Sequence, residues 1–118
     1  MKLALVGVLT AMLGVTATLQ QVYEPGNGVT LPVIVKEVKP QYTNRAKDMK
    51  IQGSVLLGAV VLENGHIDDA VEILKSLDKD LDEQAIIALK QWEFKPGTRQ
   101  GKPVPVRISV ELTFTIPR

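Results

Sequence analysis

Residues 104–116 read Val104-Pro105-Val106-Arg107-Ile108-Ser109-Val110-Glu111-Leu112-Thr113-Phe114-Thr115-Ile116. Every even-numbered position is apolar, and every odd-numbered one is proline, charged or hydroxylated. Successive side chains of an extended chain point to opposite faces, so this alternation predicts one long strand with a buried face and a solvated face. A second strand candidate is Gly53–Leu62, Gly-Ser-Val-Leu-Leu-Gly-Ala-Val-Val-Leu, which is apolar at both parities. That run suits a central strand covered on both faces, although periodicity alone does not separate it from a buried helix.

Working outward, Glu63-Asn64-Gly65-His66 follows the apolar run. Asn-Gly between apolar segments predicts a hairpin with a type I′ turn, and the next strand then spans about His66 to Leu74. Asp80 and Glu83 have the spacing of a capping box at a helix start. Leu81, Ala85, Ala88, Leu89 and Trp92 fall on one stripe of that helix, which Pro96-Gly97 is expected to stop. Residues 97–103 read as a polar loop. Thr43, or else Asn44, caps a short helix running to about Met49. The stretch between Pro32 and Pro40 reads as extended. The order is α-β-β-α-β, and the fold class is α+β: a two-layer sandwich in which helices cover a three-stranded antiparallel sheet. The last strand enters after a helical crossover, which makes it a candidate edge.

The chain has 118 residues, a formal net charge of +1, one histidine and no cysteine. Disulfides and thiolate chemistry are excluded. A near-neutral chain without a basic run has no electrostatic footprint for nucleic acid. Met1 and Lys2 precede an apolar stretch, Leu3–Ala17, that ends in Val15-Thr16-Ala17. This is the pattern of a signal peptide, with cleavage after Ala17. An uncleaved anchor is the alternative, against which stands a run shorter than the roughly 20 residues of a spanning helix. Residues 18–30 read as a linker, and 31–118 as the domain.

No catalytic or metal site emerges, and no cofactor is expected. His66 lies on the expected hairpin turn and lacks orienting partners. Asp78, Asp80 and Asp82 open like a calcium loop, but Glu83 and Leu89 stand where glycine and a bidentate glutamate are required. Gly97–Lys102 is one residue short of a phosphate loop and is followed by Pro103. Asp68 and Asp69 point to opposite faces of a strand and form no pair. Trp92 and Phe94 read as packing residues. The remaining function is a surface one. An exposed edge strand offers unpaired N–H and C=O groups that an extended peptide can bind. Proline at Ile108 is expected to abolish such capture by deleting one of those N–H groups.

Five pieces in order now resemble the TonB C-terminal domain family. They are Pro40-Gln41-Tyr42 with Ala46 and Gln52-Gly53-Ser54-Val55; Glu63-Asn64-Gly65-His66-Ile67; Leu81-Asp82-Glu83-Gln84-Ala85 with Ala88; Trp92-Glu93-Phe94-Lys95-Pro96-Gly97; and Gly101-Lys102-Pro103-Val104-Pro105-Val106. The resemblance implies a periplasmic, non-enzymatic domain that binds a short peptide segment of a TonB-dependent outer-membrane transporter. The peptide would add beside the last strand, at Val106, Arg107, Ile108, Ser109, Val110, Glu111, Leu112, Thr113 and Phe114. Pro40, Gln41 and Tyr42 would also contact the transporter. Gly53, Gly65, Trp92, Phe94, Pro96 and Gly97 would be structural. The family's full proteins carry an N-terminal membrane helix with Ser and His that engages an inner-membrane motor complex, and a long Pro-rich spacer. Residues 3–19 contain neither Ser nor His, and about 13 linker residues reach ~45 Å at most. Two roles therefore stand open: an inner-membrane anchored short transducer, or a free periplasmic interaction module. A homodimer paired through edge strands is a third.

Overall fold

The computed structural model describes residues 21–117. The expected signal peptide or anchor at 1–17 lies outside them. The strands are β1 (Val33–Lys36), β2 (Gly53–Val61), β3 (Glu72–Lys75), β4 (Glu93–Lys95), β5 (Thr98–Arg99), β6 (Lys102–Pro103) and β7 (Val106–Phe114). The helices are α1 (Asn44–Asp48) and α2 (Lys79–Leu89). A three-stranded antiparallel sheet in the order β3-β2-β7 is covered by both helices, the expected α+β sandwich. Two small ribbons, β1-β4 and β5-β6, are additions to the expected order.

The alternating segment pairs with β2 along its whole length, from Gly53↔Phe114 to Val61↔Val106, with no register shift. Val106, Leu112 and Phe114 are buried, Ile108 and Val110 half-buried, and Arg107, Ser109, Glu111 and Thr113 exposed. Val55, Leu57, Ala59 and Val61 of β2 enter the same core, where they meet Ala46 of α1 and Leu81, Ala85, Ala88 and Leu89 of α2. The opposite face of β2 is not packed by the core helices. Leu74 of β3 lies there instead, 3.3 Å from where a β-carbon on Gly58 would stand.

Four local expectations are corrected. The hairpin turn is not type I′, because Asn64 is not among the residues with positive φ and only Gly65 (φ 87) is. Leu62 N donates to His66 O and Gly65 N to Leu62 O, which closes a three-residue loop ending in a left-handed glycine. Gly65 packs so tightly that a β-carbon there would stand 2.1 Å from Phe94 O. The strand after this loop is also shorter than expected. Ile67 makes an isolated bridge to Val61, and regular pairing resumes only at Glu72.

The cap of α2 is Asp78, not Asp80. Asp78 has extended backbone (φ −162, ψ 141), and its carboxylate accepts from the amides of Asp80 at 3.1 Å and Leu81 at 3.2 Å. Asp80 is already helical, and Glu83 is exposed. Helix α2 also ends before Trp92. Gln91 N and Trp92 N bond back to Ala88 O and Leu89 O, which tightens the last turn. The chain then extends into β4, where Phe94 N donates to Gly65 O at 2.9 Å and the strand pairs antiparallel with β1. Thr43 caps α1 as expected, accepting from Ala46 N at 3.2 Å.

Candidate functional site

The outer side of β7 lies along a groove of about 960 Å³. It is lined by β7 residues from Arg107 to Phe114 and by Leu31, Pro32, Ile34, Val38, Pro40 and Tyr42 from the segment before α1. Trp92 and Phe94 also line it. Trp92 is 5% exposed, and its indole Nε1–H donates to Val38 O at 2.8 Å, which ties the groove wall to the core. Tyr42 packs edge-on to Phe114, with centroids 5.5 Å apart, and its hydroxyl donates to Ile51 O.

The direction of the β7 backbone groups follows from one bridge. Arg107 N donates to Tyr23 O and Tyr23 N to Pro105 O, each at 2.9 Å, in a parallel bridge away from β2. N–H and C=O of one residue point to the same side of a strand, and the side alternates along it. Residues 106, 108, 110, 112 and 114 therefore direct these groups toward β2, and 107, 109, 111 and 113 toward the groove. This overturns the expectation for Ile108, whose N–H belongs to the ladder with β2. The outward amides are those of Ser109, Glu111 and Thr113, beyond the Arg107 amide already used by Tyr23.

The expected contact residues divide. Pro40 and Tyr42 line the groove. Gln41 is exposed and lines a separate shallow cleft with Gln84, Ile87 and Gln91. Among residues expected to be structural, Gly97 leaves no room for a side chain: a β-carbon would stand 2.4 Å from Thr30 O and 2.7 Å from Val106 Cγ2. Sequence reasoning missed Tyr23, Glu24, Pro25, Leu31, Ile34 and Val38 as groove or edge residues. The signal available was Pro25-Gly26-Asn27-Gly28, a turn code that can fold residues 21–30 back onto the domain.

The acidic cluster of Asp78, Asp80 and Asp82 serves the fold. Arg45 Nη2 contacts Asp78 and Arg45 Nε contacts Asp80, both at 2.6 Å, and this joins α1 to the start of α2. Hydrogen bonding to Arg45 holds the Asp78 carboxyl below its usual range. Asp82 is buried and accepts from Ser76 Oγ and from the amides of Leu77 at 3.0 Å and Asp78 at 3.3 Å. All three carboxylates are thus engaged within the protein.

A family model described as Gram-negative bacterial TonB protein C-terminal matches residues 38–116. The protein TonB of Vibrio cholerae serotype O1 is 30% identical over 89 residues, covering 75% of this chain and 36% of that protein. The protein TonB of Xanthomonas campestris pv. campestris is 28% identical over 90 residues, covering 75% and 40%. The chain thus spans well under half the length of the curated relatives it matches. The solution NMR structure of the Pseudomonas aeruginosa TonB CTD has the same fold, with a TM-score of 0.62 at 22% identity, covering 84% of this chain and 98% of that one.

Proposed function

The chain belongs to the Gram-negative bacterial TonB C-terminal family, and on that premise we propose that the outer edge of β7 receives an extended peptide segment of a TonB-dependent outer-membrane transporter in energy-coupled uptake. The observation that carries this reading is the row of outward backbone groups at Ser109, Glu111 and Thr113 along a walled groove. A guest strand would bond to that row, and its alternate side chains would meet Ile34, Val38 and Tyr42 on the groove side. Backbone bonds supply affinity in such binding, and the wall supplies selection. Pro40 and Tyr42 contribute to selection, and Gln41 does so only if the partner extends beyond the groove. The role is one of binding and coupling in the periplasm, with no chemical step.

Peptides copied from the N-terminal segments of co-expressed outer-membrane transporters test this. Amide exchange followed by NMR should show new protection at 109, 111 and 113. Ser109→Pro removes an outward N–H and spares the ladder with β2, so it should weaken capture at least tenfold while the protein stays folded. Unchanged affinity in the folded variant would refute the edge site. Intact mass and fractionation separate the two roles of the whole chain. A soluble periplasmic protein cut after Ala17 is a free module, whereas a full-length inner-membrane protein is a transducer able to engage a motor complex. Concentration-dependent mass in place of peptide binding would favour the homodimer.

A further inference from the structure

The β7 edge already carries one rung of a fourth strand, supplied by the chain itself. Tyr23 bonds on both sides of Val106, to Pro105 O and Arg107 N, each at 2.9 Å. Glu24 Oε2 pairs with Arg107 Nε at 3.1 Å, and Arg99 sits over the Tyr23 ring, 5.3 Å from its centroid. In this parallel register the next rung would need the N–H of residue 25 to reach Arg107 O. Residue 25 is proline, which has no N–H. The chain then leaves the edge through Gly26, Asn27 and Gly28, all at positive φ (98, 53 and 88). It is fastened on its return by Thr30 N to Thr98 O at 2.8 Å. Glu24 and Pro25 line the groove at its Arg107 end.

We propose that Tyr23–Pro25 is a built-in terminator of the guest site: it holds the Arg107 amide, ends the ladder at Pro25, and restricts an incoming peptide to the row from Arg107 O to Thr113. The partner this fits is a short extended segment of about five residues at ~3.3 Å per residue, not a long strand. The proposal rests on the strand-addition reading above and adds its boundary. Stretching the guest past five residues in the N-terminal direction of β7 should therefore gain nothing.

Acetylated and amidated peptides of alternating Thr and Val, five and nine residues long, probe the full chain and the variants Tyr23→Pro and Glu24→Gln. In the unaltered chain the Arg107 amide should be protected before any peptide is added. Both peptides should then protect only 109, 111 and 113, and their affinities should agree within about twofold. Tyr23→Pro deletes the bond to Pro105 O and the ring contact with Arg99, the two supports that keep the residue-23 carbonyl on Arg107 N, and leaves the core untouched. There the Arg107 amide should lose protection, and the nine-residue peptide should restore it while binding roughly tenfold tighter than the shorter one, as expected for one or two added hydrogen bonds. Glu24→Gln should behave like the unaltered chain, since the exposed ion pair is secondary to the backbone rung. If the longer peptide displaces Tyr23 in the unaltered chain, or binds tenfold tighter there, the terminator is overturned while strand addition stands. If neither peptide protects any of the three amides in either protein, strand addition itself fails, and the terminator with it.

Discussion

The three-stranded sheet has two edges, and they are built oppositely. The β3 edge is four residues long, its register with β2 shifts between Leu56 and Leu57, and Lys75 closes it. A short, bulged, lysine-bearing edge resists further pairing. The β7 edge is nine residues long and regular throughout, and its charges are Arg107, which is paired with Glu24, and Glu111. Both edges belong to the same sheet and the same core, so the blunting devices of β3 were within reach of β7 and are missing there. The difference supports the proposal that β7 is the edge that receives another chain. Among the described residues, Tyr23 with Pro25 covers one end of it and leaves the middle open.

The strongest blow to this comparison removes the support shared by the sheet and the groove. Trp92→Ala should destabilise the protein by about 3–5 kcal/mol, because it empties a buried site and orphans Val38 O; a urea titration that moves only slightly would take Trp92 out of the core. Next comes the proline pair on β7. Ile108→Pro breaks the ladder with β2 and should cost at least about 1–3 kcal/mol, the penalty of an unmade buried bond. Ser109→Pro should cost less than that and instead abolish peptide capture. A lower melting temperature for Ser109→Pro than for Ile108→Pro would show that the inward and outward assignment is reversed. Smaller still is the effect of acid on the Arg45 bridge. The folded Asp78 carboxyl is held below its ordinary value, so its contribution is full above the usual carboxylate range and fades as pH falls through the folded value. The stability gap between the unaltered chain and Asp78→Asn should therefore be constant from pH 7 down to about 4 and close below it. Last, Ile73→Lys on the β3 edge should leave peptide affinity unchanged, and a marked loss would mean that both edges take part.

Much of the sheet was legible in the sequence because period-two patterning reports burial directly. The stretch 104–116 could only be a half-buried strand and Gly53–Leu62 a buried one, while their pairing with each other came from the fold. The helix stripe Leu81, Ala85, Ala88 and Leu89 was legible for the same reason at the helical period. Trp92 is a core residue, as read, but not as the last member of the helix stripe: the helix has ended, and the indole is held by Val38 O, 54 residues away. The cap went to Asp78 because three aspartates at alternate positions offer equivalent side chains, and only the backbone angles decide among them. The Asn64-Gly65 turn likewise depended on whether one residue or two adopt positive φ. That geometry appears instead at Gln100 and Gly101 (φ 53 and 78), between β5 and β6, where glutamine gave no sign of it. Of the site, the strand and Pro40 with Tyr42 were readable, but which backbone groups face outward depends on ladder phase, and side-chain types do not encode that. The Tyr23 rung is a contact across 83 residues and carried no local signature beyond the turn that follows it.

The sequence contains a single tryptophan, and it lines the groove while its nitrogen stays bonded to the wall. The molecule therefore carries its own optical reporter at the place in question. A peptide seated against β7 will alter the shielding of that indole and shift its emission, whereas anything docking on the β3 edge will leave the light unchanged.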